Sequence, residues 1–220
     1  MAQALVCVEI AFACMENDEY GAAQEQLRSA LKALDWKPKI PNEQQGHLVA
    51  EVLMHLGFTL DSLEQHDQAH THLEKSRSIF EANAFKAAAA GDKQLEISLR
   101  SHLASVLNNL SIWHLNTSKR FRDSKEAAPR QQFAEFLKKA RLMQEDCIAC
   151  RKELGQDDTV NMAQALYHLG SIISLSENRR AALDHTHRRV VPHTFHSQLQ
   201  LTFSTGLWKF ENEFWATNTR

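Results

Sequence analysis

Glycine and proline are scarce in this chain of 220 residues, at 7 and 4. So few turn formers exclude a many-stranded β fold and a collagen-like repeat. Disorder is excluded too, because 43% of the residues are hydrophobic and only 24% charged. Helix is what remains. No apolar run reaches the roughly 18 residues of a spanning helix, so no membrane segment is expected. The opening run MAQALVCVEIAFAC has no Lys or Arg ahead of it and carries Glu9 inside, which argues against a signal peptide. With 4 cysteines and no secretion signal, the expectation is reduced thiols in a cytoplasmic or nuclear protein.

Catalytic signatures are missing as well. No HExxH, phosphate-binding glycine loop or GxSxG occurs, and the 12 histidines have no Ser or Cys partner in a nucleophile motif. The chain is therefore expected not to be an enzyme and to use no cofactor or metal. Its net charge of −2 is nearly neutral but unevenly spread. Residues 1–81 hold 13 acidic against 6 basic side chains, and residues 119–141 hold 8 basic against 3 acidic.

What the sequence does contain is self-similarity, and a repeat decides the fold. Four segments share an i, i+3, i+4, i+7 stripe: Cys7, Ile10, Ala11, Cys14; Leu53, Leu56, Gly57, Leu60; Leu107, Leu110, Ser111, His114; Leu166, Leu169, Gly170, Ile173. That spacing occupies one face of an α-helix. The third member is always small, as it must be where a neighbouring helix comes close; overpacking there costs about 1–3 kcal/mol. From three of these small residues, Ala11, Gly57 and Gly170, an alanine follows 12 positions later, at Ala23, Ala69 and Ala182. Each alanine opens a second amphipathic run. The short turns ENDEYG, EQHDQ and SENRR force the paired helices antiparallel.

These residues resemble the tetratricopeptide (TPR) motif, most closely in AQALYHLGSIISLSENRRAALDH. The resemblance implies an all-α fold: an α-solenoid of antiparallel helix hairpins in a right-handed superhelix. Its units would be about 4–35, 47–82, 94–154 and 160–191, within a repeat domain 1–191. The small positions lie 46, 54 and 59 apart, whereas the family usually repeats every 34 residues, so longer helices or insertions are expected. The third unit has no alanine at position 123; a charged loop from about Asn116 to Arg130 precedes its second helix, Gln131–Leu154.

What the resemblance implies about function is a protein-binding scaffold in a larger complex, gripping a peptide or amphipathic helix of a protein partner. In such proteins the first helices line a concave groove. Carried over residue by residue, the groove would comprise Val8, Phe12, Met15, Met54, Phe58, Asp61, Asn108, Ile112, Leu115, Tyr167, Ser171 and Ser174. An apolar wall of Met and Phe suits an apolar partner segment; these residues could equally pack in a core. Members that grip acidic chaperone tails have Lys and Asn where Val8 and Phe12 stand, so that ligand is not expected.

Two other chemistries compete. Cys147-Ile-Ala-Cys150 has metal or redox spacing, but a structural zinc needs four ligands and no second CxxC exists. Buried helix cysteines are the simpler reading. The basic segment 119–141 could meet nucleic acid, yet one aromatic among basics is a weak signature and a solvated surface explains it; no nucleic-acid partner is expected. Trp36–Pro41 should break the helices between units one and two. Gly91 should stop a helix continuing through 82–90, and Gly155 followed by Thr159 should stop one helix and cap the next. Residues 192–220, with Trp208, Phe210, Phe214 and Trp215, form either a terminal cap or a non-repeat tail.

Overall fold

The computed structural model describes residues 1–35, 46–121, 127–157 and 159–176. The linker Trp36–Pro41, the expected Gly170–Ala182 pairing and the aromatic tail 192–220 lie outside them. Seven helices and no strand occur among the described residues: α1 (Ala2–Glu16), α2 (Tyr20–Ala33), α3 (Gly46–Ser62), α4 (His66–Ala90), α5 (Lys93–Lys119), α6 (Ala127–Glu153) and α7 (Val160–Ser176). The described residues are all-α.

The helix ends follow from local chemistry. The run of four alanines, 87–90, carries α4 to Gly91, whose φ of 75° ends the helix in the left-handed region. Asp92 then starts α5 by accepting a hydrogen bond from the Leu95 N–H at 3.0 Å. Gly155, at φ 67°, closes α6. Thr159 opens α7 by accepting from the Met162 N–H at 3.2 Å. Pro129 sits in the first turn of α6, where its missing N–H costs no helical bond.

The two short turns, α1 to α2 and α3 to α4, are copies of one another. The Glu19 N–H reaches the Cys14 carbonyl at 2.8 Å, and the Gln65 N–H reaches Leu60 at 2.8 Å. Asp18 and Glu64 donate to the Met15 and Asp61 carbonyls at 3.1 and 3.0 Å. Both residues are left-handed, at φ 59° and 61°. Every element of this Schellman-type stop is displaced by 46 positions, the same interval that separates Ala11 from Gly57.

Packing follows chain order. Each helix packs on the helix before it and the helix after it, and α3 also touches α5, as α5 touches α7. One apolar core runs through α1–α5, around Leu27, Leu53, Leu56, Leu73 and Phe80. Two smaller clusters join α5, α6 and α7, around Cys147 and Met162 and around Leu137 and Ile172.

The small residues of the stripes sit at close approaches. A Cβ on Gly57 would fall 2.6 Å from Leu73 Cγ and 3.1 Å from the Ala69 carbonyl. Ala11 and Ala23 are both fully buried. In the third hairpin the Ser111 hydroxyl donates to the Ala140 carbonyl at 2.8 Å. The small-to-alanine approach therefore survives there at an interval of 29 instead of 12. Both helices extend into the span expected as a loop: α5 runs on to Lys119 and α6 already begins at Ala127. One stripe residue does not pack as its spacing suggests: Ile10 is exposed, whereas its counterparts Leu56 and Leu110 are buried. The helices α3 and α5 each have a preceding helix to pack against; α1 has none among the described residues.

Candidate functional site

The odd-numbered helices touch one another along one side of the chain of hairpins, and the expected groove residues Phe12, Met15 and Asp61 stand on that seam. The ring of Phe12 on α1 meets the edge of His55 on α3 at 4.6 Å. The Thr59 hydroxyl on α3 lies 3.4 Å from the Met15 sulfur. Asn116 on α5 donates to the Asp61 carboxylate on α3 at 3.2 Å. Phe58 carries the ring of Tyr20 against it, 6.3 Å between centroids.

Exposure divides the expected set. Phe58 and Tyr167 are open, at 37% and 42%. Phe12, Met15, Asp61, Asn108, Ile112, Ser171 and Ser174 are half-buried. Val8, Met54 and Leu115 are buried, with Val8 and Met54 in the core shared by α1–α5 and Leu115 against α6 and α7. Those three are corrected from wall to core: interior helices pack on more than one neighbour, so less of each remains free. Asn108 also faces inward, accepting from the buried Gln144 amide of α6 at 3.1 Å.

Asp61 is a joint between elements. It accepts from Asn116 and also pairs with His66 Nδ1 at 2.7 Å, at the start of α4. Burial raises its pKa, against the opposing hydrogen bond from Asn116 and the charge of Arg120. Beside it the Trp113 indole N–H donates to the His66 carbonyl at 2.8 Å, tying α5 to the same corner. Neither tether shows in the sequence, since each joins residues about 50 positions apart.

Sequence reasoning also missed a row of two imidazoles and a carboxylate. His47, Glu51 and His55 stand at successive i+4 positions on α3. The His47 and His102 rings are 4.9 Å apart, and Phe80 stacks on His102 at 5.4 Å. Burial, reinforced by the charge of His102, lowers His47 and brings His55 down to about 4. His114 and His168 are also lowered to about 4, in each case chiefly by burial. The signal available was the i, i+4 spacing of His47 and Glu51; His102 is on another helix.

Cys147 and Cys150 are free, buried thiols. Burial raises the pKa of both despite the nearby Arg151 and Arg100, which disfavours the thiolate that metal binding or redox chemistry requires. Among the described residues no His, Asp or Glu joins them in a ligand group. In the basic segment, Lys119, Arg120, Lys138 and Lys139 are exposed, and Arg141 pairs with Glu145 on its own helix at 2.9 Å. Arg122, Lys125 and the side chain of Arg130 lie outside the described residues.

No helix among the described residues is long and apolar enough to cross a membrane. No protein-family model matches the chain, and no curated protein matches it. Among solved structures, the crystal structure of BtubC (BKLC) from P. vanneervenii is similar over 83% of this chain and 76% of that one, at 16% identity and a TM-score of 0.35. A likeness that weak carries no argument about the fold.

Proposed function

We propose that this chain is a protein-interaction scaffold: a TPR-like α-solenoid of antiparallel hairpins in a right-handed superhelix. It holds a partner peptide or amphipathic helix along the side where α1, α3, α5 and α7 meet. The observation that carries the reading is the displaced copy of one turn, with the same hydrogen bonds 46 positions later, beside the close approach of Gly57 to Ala69 and the full burial of Ala11 and Ala23. Packing in chain order supports it as well, because hairpins that bury their apolar faces on the next hairpin build a stack and not a ring around one centre.

Binding is the whole mechanism on this reading. Phe58 and Tyr167 offer exposed aromatic area at modest entropic cost, and Phe12, Met15 and Ile112 add half-buried apolar surface on α1 and α5. A preformed wall takes up a segment with little rearrangement. The chain acts within a larger complex in the cytoplasm or nucleus, without nucleic acid.

The test is cross-linking from a photoreactive residue placed at position 58 or 167, followed by affinity measurement with the segment captured. Phe58→Ala and Tyr167→Ala are each expected to weaken that segment about tenfold or more, with the thermal midpoint within a degree or two of the parent. Equal losses of stability and binding would assign these side chains to the core and remove the groove.

A further inference from the structure

The row of nitrogens between α3 and α5 has the make-up of a cation site. His47 and Glu51 lie one turn apart on α3 and so share a face. His102 reaches the same place from α5. One ligand atom from each of the three lies within 4.8 Å of the other two. A tetrahedral ion with ligands about 2.0–2.2 Å away needs them about 3.3 Å apart, which side-chain rotation of half-buried groups can supply.

The surroundings fit a metal better than they fit a salt bridge. His102 Nδ1 lies 2.8 Å from the Ser98 carbonyl. A carbonyl can only accept, so Nδ1 carries the proton and Nε2, without one, keeps its lone pair for a metal. Fixing the tautomer through a backbone carbonyl is the usual support of a ligating histidine. Phe80, fully buried, lies flat against His102 and edge-on to His47 at 5.9 Å, forming an apolar back wall. Glu51 is half-buried and its charge acts on His47, so its carboxylate faces an imidazole.

We propose that His47, Glu51 and His102 bind one divalent transition-metal ion of the zinc class, which pins α3 to α5 and thereby fixes one hairpin against the next. Two imidazoles and one carboxylate suit zinc or cobalt; calcium and magnesium prefer all-oxygen sets. Three protein ligands leave a coordination position for water or for a ligand from a partner. The site is independent of the groove reading.

The experiment uses the full chain, stripped with a chelator and titrated calorimetrically with Zn2+, with Co2+ absorption as the probe of geometry. One equivalent is expected to bind. Glu51→Gln and His102→Gln should each weaken binding by at least the 10–100-fold that loss of an outer-shell partner costs. Zn2+ at a hundredfold excess over its Kd should raise the parent's thermal midpoint by about 5–10 °C and the variants' by much less. Cys147→Ser/Cys150→Ser, and separately the C-terminal histidine variants His185→Gln, His187→Gln, His193→Gln and His196→Gln, should keep parental affinity. If His102→Gln fails to fold, the conservative Glu51→Gln decides. Absence of binding, or affinity unchanged by Glu51→Gln, overturns the site; so does binding that follows the cysteines or the C-terminal histidines.

Discussion

In the hairpins α1/α2 and α3/α4 the chain reverses within three residues, and a left-handed acidic residue, Asp18 or Glu64, makes the bend. Between α5 and α6 lie residues 120–126, and both helices are 27 residues long. The close contact nevertheless persists. Gly57 lets the carbonyl of Ala69 come near, and Ser111 bonds the carbonyl of Ala140. The α3/α4 pair has a serine of its own in this role, Ser76, donating to the Ala50 carbonyl at 2.6 Å. Turn length is thus free to vary while the meeting of small residues is held. Helix pairs are fixed by how near their backbones come, and the turn only delivers them.

Acid should produce the largest effect and should separate the two regions. His114 and His168 are held near 4, as is His55. A depressed folded-state pKa means that the unfolded chain binds more protons between about 6.5 and 4. Stability is therefore complete above pH 6.5 and falls as the pH drops toward 4, by at most on the order of 3 kcal/mol per histidine. Two of the three lie on α5 and α7, so His114→Gln with His168→Gln should flatten the fall in urea-determined stability more than His55→Gln does. A flat profile between pH 6.5 and 4 would show that these imidazoles protonate in place.

Gly57→Val is next. Its Cβ would press on Leu73 and on backbone at Ala69, and chemical denaturation should show a loss of about 1–3 kcal/mol. Ser111→Val probes the corresponding approach in the third hairpin and should cost a similar amount; a negligible cost there would mean the approach is loose. Smaller still, Ser76→Ala and Ser111→Ala each remove one buried hydrogen bond and should cost about 0.5–1.5 kcal/mol. The two losses should match if the same device operates in both hairpins. The smallest effect should be a gain. Glu64→Gly relieves a left-handed residue and is expected to stabilise by about 0.5–1 kcal/mol, whereas Gly91→Ala, with open space around its Cβ but φ 75°, should cost about 1 kcal/mol.

Much of the local structure was legible because it is written in neighbouring residues. Gly91 and Gly155 stop helices, Thr159 starts one, and Gly57 marks the approach to Ala69 twelve positions on. The partner of Ser111 was not legible, since nothing near position 123 resembles Ala69 and the true contact, Ala140, lies beyond a loop of different length. The candidate site was half legible. Phe58 and Tyr167 are exposed, whereas Val8, Met54 and Leu115 have the same apolar character and are buried. His47 and Glu51 share a face by spacing alone; that His102 joins them depends on α5 lying against α3.

Sequence by itself determined that the chain is helical, where most helices end, and which face of each is apolar, because backbone preferences and the 3.6-residue period act over a few residues. Tertiary structure alone decided which apolar residues stay open and which distant side chains meet. A helix flanked on two or three sides has little surface left, and the count of its neighbours is recorded in no local stretch of sequence.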